Sequence, residues 1–295
     1  MSQYFRLGLT GCPLDHSFSP RLHQAALKVC GLDGEYRLYS IPPLPAGQAE
    51  LAALIERLRQ GELDGLNVTI PHKRSVLTLV DRLTPAAQAT GAVNTLMRLG
   101  DLIIGENTDA AGFWDDLQSK AVIHSTMGVL QPGAVLVLGA GGAARAAVYA
   151  LSKHGWQVYL AARRIEQAQQ LTLDLGYFTN PPNILPWPIA GTEPFQAELP
   201  LNLLVNATPV GMHPNIELSP WPEHLHLPEG CFVYDMVYNP PETPLLRLAR
   251  QQGLTAVNGW GMLVRQAALA FLLWTKLPEG QLAKVQQAMF GIELP

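Results

Sequence analysis

Short apolar runs alternate with longer segments of helical spacing over the first third of the chain. The runs at residues 5–10, 36–41 and 63–70 predict three strands. Between them, the spacing of residues 20–30 and 46–60 predicts two helices. Strands that alternate with helices in this way predict an α/β layer built on a mostly parallel sheet.

The ends of these helices carry specific signals. Ser19 is predicted to cap the first helix, with Pro20 at its first position. Gly61 follows the second helix, where glycine suits the left-handed conformation of a helix stop. Pro71 is predicted to begin a third helix directly after the third strand, which puts His72 and Lys73 in its first turn.

A second α/β series begins near Asp109. Its strands are predicted at residues 134–138, 157–161, 203–206 and 231–236. Two segments rich in proline and glycine, residues 180–188 and 213–228, are predicted loops. A long apolar helix is expected over residues 262–273 and a short helix over residues 279–290.

The first strand of this series runs into a glycine-rich turn of the kind that binds a dinucleotide pyrophosphate. Gly139 permits the tight turn, Gly141 lets the backbone approach the phosphates, and Ala144 keeps the next helix close to the sheet. The N–H groups at the helix start would bind the phosphates. A plain glycine-rich turn is the alternative, but the strand before it and the helix and strand after it favour nucleotide binding.

These patterns predict two domains in a chain of 295 residues. We expect residues 1–108 and 260–295 to form an α/β substrate-binding domain, and residues 109–259 to form a Rossmann-like nucleotide-binding domain. The C-terminal helices would then return to the first domain and leave a cleft between the two.

Composition excludes several classes of protein. Hydrophobic residues make up 48% of the chain and charged residues 15%, as in a compact globular protein. A net charge of −4 without a basic run argues against a nucleic-acid partner. No apolar stretch reaches membrane-spanning length and no signal-peptide pattern is seen, so neither is expected. The spacing of Cys12, Cys30 and Cys231 predicts reduced thiols in a cytoplasmic protein, with no metal site.

The end of the second strand of the nucleotide domain bears on cofactor choice. Ala162, Arg163 and Arg164 stand where an NAD-binding site usually has an acidic residue. Two guanidinium groups suit the 2′-phosphate of NADP. Because arginine is unfavourable at a helix N-terminus, a bound anion explains the pair better than a solvated helix start does. The pattern favours NADP.

The first domain carries candidate acid–base residues. In the first turn of a helix, and partly buried, Lys73 would have a pKa lowered toward neutrality. A surface lysine is the alternative, and His72 is a rival acid–base group. Asp109, at a helix start, supplies a carboxylate that would orient the lysine, unless it only caps that helix. Ser17 and Ser19 present two hydroxyl groups, of which capping explains Ser19 better than Ser17.

Eight segments carry a wider resemblance along essentially the whole chain. They are GCPLDHSFSP (11–20), NVTIPHK (67–73), GAVNT (91–95), NTDAAG (107–112), GAGGAAR (139–145), NATPVGM (206–212), DMVYNP (235–240) and GWGMLVRQ (259–266). In this order they are similar to the shikimate dehydrogenase family. The resemblance implies reversible, NADPH-dependent reduction of 3-dehydroshikimate to shikimate, a step in aromatic amino acid biosynthesis, without a metal.

The resemblance also implies roles for individual residues. Lys73 and Asp109 would form the catalytic pair. The substrate carboxylate and ring hydroxyls would be held by Ser17, Ser19, Asn67, Thr69, Asn94, Tyr238 and Gln266. NADP would be bound by Gly139, Ala140, Gly141, Gly142, Ala143, Ala162, Arg163, Arg164, Thr208, Met236, Gly259 and Met262, with Met212 as a further apolar neighbour. Ala162 replaces the usual asparagine and Arg164 is an additional arginine, which leaves the exact 2′-phosphate contacts open.

Two other functions stay open at this point. One is a quinate/shikimate dehydrogenase with broader substrate range and NAD use, although both serines and the double arginine favour shikimate and NADP. The other is a sensor without catalytic activity, which would have little reason to combine Lys73, Asp109 and Gln266. The sequence is compatible with both a monomer and a homodimer.

Overall fold

The computed structural model describes residues 3–124, 131–176, 178, 180–185, 200–222 and 225–293. The chain forms two compact units. One comprises the described residues up to Gly112 together with Val264–Glu293, and the other lies within Phe113–Leu263. The boundaries fall at 112/113 and 263/264 instead of 108/109 and 259/260. Each falls inside a helix, because the first turn of the helix still packs with the unit that precedes it.

The first unit is built on a six-stranded sheet. Its strands are β1 (Tyr4–Gly11), β2 (Asp33–Ser40), β3 (Gly65–Val68), β4 (Arg82–Leu83), β5 (Thr95–Leu99) and β6 (Leu102–Glu106). The order is β2-β1-β3-β5-β6-β4. β1 pairs in parallel with β2 and β3, and β4 with β6, whereas β5 is antiparallel to both of its neighbours. The β5–β6 hairpin was not part of the sequence prediction.

Helices cover this sheet. They are α1 (Ser19–Cys30), α2 (Gln48–Arg59), α3 (Pro85–Thr90), the start of α4 (Thr108–His124), the later part of α8 (Trp260–Thr275) and α9 (Leu282–Phe290). Apolar residues of α2, among them Leu51 and Leu54, pack with Leu66 of β3 and Leu96 of β5 in one buried cluster. Gly61 has φ of +76°, so glycine relieves the strain of the turn after α2.

Two local predictions for this unit are wrong. Ser19 is the first residue of α1, whose N-cap position is Phe18, without a side-chain hydrogen bond. Pro71 does not begin a helix, because the chain forms a turn there and continues into a 3-10 turn at Ser75–Thr78. The backbone stays beside β1 up to residue 70, since Cys12 N donates to Ile70 O at 2.9 Å.

The second unit contains six parallel strands. They are β7 (Ala134–Leu138), β8 (Gln157–Ala161), β9 (Asn183–Leu185), β10 (Leu201–Asn206), β11 (Phe232–Asp235) and β12 (Ala256–Asn258). The order β12-β11-β10-β7-β8-β9, read from β9, is the 3-2-1-4-5-6 arrangement of doubly wound nucleotide-binding sheets. Strand β9 lies within a segment predicted as a loop, of which residues 186–188 fall outside the described part.

Helices pack on both faces of this sheet. They are the remainder of α4, α5 (Gly142–Lys153), α6 (Ile165–Asp174), α7 (Pro244–Gln251) and the start of α8. Val135 and Val137 of β7 belong to one buried cluster and Leu136 and Leu138 to another, so the strand is buried on both faces. Of the helices in the described residues, none has the length and apolar character to cross a membrane.

Candidate active site

A hydrogen-bonded cluster in the first unit brings four of the predicted site residues together. Lys73 Nζ lies 2.5 Å from Asp109 Oδ2. Asn94 Nδ2 lies 2.9 Å from Asp109 Oδ1 and 3.1 Å from Gln266 Oε1. The side chains of Lys73 and Asp109 are 15% and 6% exposed, so the ion pair is largely, but not completely, shielded from water. Four residues that are distant along the chain thus form one polar group.

Asp109 is available for this cluster because a neighbour caps the helix. Asp109 lies in the first turn of α4, where capping was the alternative role. Asn107 Oδ1 accepts a hydrogen bond from Ala110 N at 3.1 Å, which is the N-cap contact. Thr108 N donates to Asn94 Oδ1 at 2.8 Å. The carboxylate of Asp109 is therefore directed to Lys73 and Asn94 and not to its own helix.

Lys73 reaches the cluster from a turn, not from a helix. His72 N donates to Thr69 O at 2.9 Å and closes the turn, and Val93 N donates to Lys73 O at 2.8 Å. The prediction that Lys73 lies in the first turn of a helix is wrong, because residues 71–74 form a turn and the 3-10 helix begins at Ser75. The close carboxylate of Asp109 is what holds the ammonium group in place.

His72 does not act as a rival acid–base group. Its side chain is buried, and the ring atom Nε2 lies 2.9 Å from Ile41 O. A ring nitrogen that donates to a backbone carbonyl holds the imidazole in one orientation. His72 therefore supports the turn that carries Lys73.

The remaining candidates of this unit differ in their availability. Ser17 Oγ accepts from Ser19 N at 3.3 Å, so the two serines form a compact turn before α1. Thr69 is half-buried after β3, and a Cβ added at Gly11 would lie 2.3 Å from its methyl group. The amide of Asn67 is buried, and its nitrogen and oxygen are hydrogen-bonded to Asn94, Thr95 and Tyr36.

The second unit carries the glycine-rich turn between β7 and α5. Gly139 has φ of +109°, and a Cβ there would lie 3.0 Å from Ala207 O, so the position requires glycine. Gly141 is the N-cap of α5 in an extended conformation, and a Cβ there would meet nothing within 4 Å. Ala140 and Ala144 are buried, and Gly142 and Ala143 form the first turn of α5.

This turn fits a dinucleotide pyrophosphate. It leaves open space on the outer side of Gly141, and the first N–H groups of α5 have no intrahelical acceptor. It also lies where β7 and β10 adjoin and the strand order reverses, which is where doubly wound sheets bind ligands. Arg145, in the same turn of helix, is 1% exposed and paired with Asp174 of α6, so it is directed into the protein and away from a phosphate.

The segment predicted to bind the adenosine phosphate follows the end of β8. Ala162 is buried, whereas Arg163 and Arg164 are exposed, and Arg164 occupies the N-cap position of α6 without a side-chain cap. The first acidic residue of α6 is Glu166. Two exposed guanidinium groups at a helix start provide a site for an anion.

The other predicted cofactor residues lie beyond the ends of β10, β11 and β12. Thr208 Oγ1 donates to Asn206 Oδ1 at 2.7 Å. A Cβ added at Gly259 would lie 2.3 Å from Met236 O, so these two segments approach closely only because residue 259 is glycine. Met262 is buried and Met212 is 38% exposed. Burial raises the pKa of Tyr238, whose ring centroid lies 6.4 Å from that of Trp260.

A buried network behind Thr208 was missed in the sequence. Asn206 Nδ2 donates to Asp235 Oδ1 at 2.8 Å, and Thr243 Oγ1 donates to Asp235 Oδ2 at 2.6 Å. Val237 N also donates to Asp235 Oδ1, at 3.0 Å. The signal was present, since Asn206 and Asp235 are polar residues that end two apolar strands. The network positions the segments that carry Thr208 and Met236.

Within the described residues, no group of three or more histidine, cysteine, aspartate or glutamate side chains has an arrangement that would hold a metal ion.

Comparisons with known proteins identify the family. The model of the shikimate dehydrogenase substrate binding domain matches residues 9–96. The shikimate dehydrogenase (NADP(+)) of Symbiobacterium thermophilum is 40% identical over 269 residues, which are 91% of this chain and 88% of the relative. The chain belongs to the shikimate dehydrogenase family.

Solved structures of shikimate dehydrogenases and a related enzyme have the same fold. The shikimate 5-dehydrogenase of Thermus thermophilus in complex with NADP(H) and shikimate is 36% identical, with a TM-score of 0.79 over 97% of this chain and 98% of that one. The quinate dehydrogenase of Corynebacterium glutamicum in complex with NAD is 30% identical, with a TM-score of 0.82 over 98% of this chain and all of the other (100%).

Proposed function

We propose that this chain is an NADP-dependent shikimate dehydrogenase, which reduces 3-dehydroshikimate to shikimate and catalyses the reverse oxidation. The observation that carries the proposal is the 2.5 Å contact between Lys73 Nζ and Asp109 Oδ2, beside the amides of Asn94 and Gln266. An ammonium group, a carboxylate and two amides form a site for a small molecule that carries several hydroxyl groups and exchanges a proton.

Lys73 is proposed as the acid–base residue of the reaction. NADPH, when bound, supplies the hydride that adds to the ketone carbon of 3-dehydroshikimate. The Lys73 ammonium donates a proton to the ketone oxygen as negative charge develops there, and in the reverse direction the lysine amine accepts the hydroxyl proton. Asp109 orients the ammonium through Oδ2, while Asn94 holds Oδ1 and prevents rotation of the carboxylate.

The first unit is proposed to bind the substrate. The hydroxyl groups of Ser17 and Ser19 suit the substrate carboxylate. The resemblance to the family also assigns Tyr238 to the substrate. Asn94 and Gln266 already share a hydrogen bond of 3.1 Å and, with Thr69, suit the ring hydroxyls. Asn67 belongs to the same proposed set, and its buried amide contacts Asn94.

The second unit is proposed to bind NADP. The backbone N–H groups after Gly141 suit the pyrophosphate, and Arg163 and Arg164 suit the 2′-phosphate. The segments at Thr208 and Met236 follow the ends of β10 and β11, where nicotinamide is expected in a doubly wound sheet. Gly259 and Met262 are the remaining residues proposed to bind NADP.

We also propose a cytoplasmic location, because Cys12, Cys30 and Cys231 are free thiols.

The activity is tested by absorbance at the reduced-nicotinamide band, with shikimate and NADP as reactants. Rates are compared for shikimate and quinate, each with NADP and with NAD. We expect the highest kcat/KM with shikimate and NADP. Higher kcat/KM with quinate and NAD would favour the second candidate, which the likeness to a quinate dehydrogenase supports. Absence of activity in every combination would favour a sensor, and light scattering separates a monomer from a homodimer.

Cofactor choice is tested at the two arginines. Replacement of Arg163 and Arg164 by alanine should raise the KM for NADP by roughly tenfold to a hundredfold, because charge-assisted bonds to the 2′-phosphate are lost. The KM for NAD should stay within about twofold, since NAD lacks that phosphate. The exposed Arg21→Ala is the matched control. Equal losses for both cofactors would contradict the assignment.

A further inference from the structure

Three buried side chains lie where α1 packs against the first sheet. Tyr36 of β2, Asn67 of β3 and His23 of α1 are all buried. The rings of His23 and Tyr36 stack, with centroids 4.3 Å apart and planes 5° from parallel. The ring centroids of Phe271 and Trp274 lie 6.2 and 5.3 Å from that of His23, so two further aromatic rings surround the histidine. The tyrosine hydroxyl is therefore held in one place by a rigid aromatic group.

Asn67 uses its amide inside the sheet. Its Nδ2 lies 3.1 Å from both Asn94 O and Thr95 Oγ1, and its Oδ1 accepts from the Tyr36 hydroxyl at 2.8 Å. An amide nitrogen has two donors, so both donors of Asn67 are used by these contacts. Asn67 is 5% exposed. It therefore acts on a substrate through Asn94 and Thr95, and not by donating to a ring hydroxyl itself.

The Tyr36 hydroxyl is a buried donor. Burial raises the pKa of Tyr36, so the phenol stays protonated and remains a donor to Asn67 at 2.8 Å. Asn67 in turn donates to the backbone carbonyl of Asn94 at 3.1 Å. The phenol is thus linked through one amide to the backbone of Asn94.

The neighbouring histidine is a neutral support. Burial lowers the pKa of His23 to about 3. Neither ring nitrogen has a hydrogen-bond partner at normal distance. The imidazole therefore offers the Tyr36 ring an uncharged face, and the stacking fixes the direction of the phenol bond.

We propose that Tyr36 is a positioning residue of the substrate site, whose hydroxyl holds Asn67, and through it Asn94, in the orientation that shikimate binding requires. The proposal rests on the proposed function. Tyr36 does not touch the reacting atoms, so its loss affects substrate binding more than the proton-transfer step. Through Asn67 it acts on Asn94, whose amide bridges Asp109 and Gln266.

The test is Tyr36→Phe, which removes the hydroxyl and keeps the ring that stacks on His23. We expect the KM for shikimate to rise about fivefold to tenfold, the effect of one buried hydrogen bond. The kcat and the KM for NADP should stay within about twofold. The matched control is Tyr39→Phe on the same strand, whose ring packs with a separate apolar cluster and should leave all three constants unchanged.

A double-mutant cycle shows the route of the effect. If Tyr36 acts through Asn67, the KM of Tyr36→Phe/Asn67→Ala should equal that of Asn67→Ala alone. An unchanged KM in Tyr36→Phe would overturn the inference. So would parallel losses of kcat, NADP affinity and thermal midpoint, because these indicate general destabilisation. Wild-type protein without shikimate-dependent reduction of NADP would instead overturn the proposed function, so the two failures are distinguishable.

Discussion

At the scale of single residues, the candidate site depends on where each polar side chain finds its partner. Asp109 is free for Lys73 because Asn107 caps α4. Asn94 joins two helices of the first unit, since its amide contacts Thr108 and Asp109 at the start of α4 and Gln266 of α8. A lysine held by one carboxylate, which is held in turn by an amide, has a defined position for proton transfer.

Loss of the Lys73 amine is the direct test at this scale. Lys73→Ala should lower kcat by roughly two to four orders of magnitude, because a positioned general acid contributes about that much. The KM for NADP should stay nearly unchanged, since the glycine-rich turn proposed to bind NADP lies in the second unit. The exposed Lys28→Ala in α1 is the matched control and should keep wild-type turnover. Normal turnover in Lys73→Ala would refute the assignment.

At the scale of elements, two helices approach each other with almost no space. A Cβ added at Gly112 of α4 would lie 2.8 Å from Gln266 N of α8. A Cβ added at Gly261 of α8 would lie 1.8 Å from the Asp116 carboxylate of α4. The Asp116 carboxylate also accepts from the Tyr234 hydroxyl at 2.7 Å. Glycine at these positions lets α4 carry Asp109 while α8 carries Gln266.

Gly112→Ala tests this close packing. In an unconstrained helix the change would stabilise by about 1 kcal/mol, because alanine has the higher helix propensity. Here we expect destabilisation by about 1–3 kcal/mol, since the methyl group meets backbone that must shift, and a higher KM for shikimate as Gln266 moves.

Denaturant unfolding measures the stability. Gly280→Ala is the control, because a Cβ there meets nothing within 4 Å. A Gly112→Ala protein as stable as wild type, or more stable, would contradict the predicted contact.

At the scale of the whole molecule, each unit buries a titratable group whose pKa is far from its ordinary value. Burial raises the pKa of Asp235 in the second unit to about 6, although Thr243, Val237 and Asn206 oppose the rise. Burial lowers the pKa of His23 in the first unit to about 3. The two groups change stability in opposite directions over overlapping pH ranges.

Asp235→Asn isolates one of these effects. The folded protein binds the Asp235 proton more tightly than the unfolded chain, so this group lowers stability as pH rises from about 4 to about 6. The variant lacks this charge, so its stability should not fall over that range. The free energy of unfolding of Asp235→Asn minus that of wild type should therefore be larger above pH 6 than at pH 4, by on the order of 3 kcal/mol. The difference between variant and wild type is the quantity to compare, because His23 contributes the same pH dependence of stability to both proteins and cancels.

The control for this prediction is Asp15→Asn, which replaces an exposed carboxyl and should keep the wild-type pH dependence. Urea unfolding of the second unit is followed at several pH values from 4 to 7. A constant difference between Asp235→Asn and wild type over that range would show that the buried carboxyl has an ordinary pKa in the folded protein.

The amino-acid sequence by itself determined the features that depend on neighbouring residues. Strands β7 and β8 have their predicted bounds, and the glycine-rich turn at Gly139 and Gly141 lies between strand and helix as expected. Apolar periodicity, glycine in a turn and an arginine pair are local properties of the chain, so they are readable without a fold. The resemblance across eight segments added the family and the set of candidate residues.

Only the tertiary structure decided how distant residues meet. The predicted helix at Pro71 is replaced by a turn because the preceding residues stay paired with β1. The hydrogen bonds of the Asn67 amide with Tyr36, Asn94 and Thr95 join three separate strands or segments and could not be read from the sequence. Asp235 acquires its raised pKa from burial among elements far away in the chain. Hydrogen-bond partners and desolvation are set by packing between segments, which a local pattern does not contain.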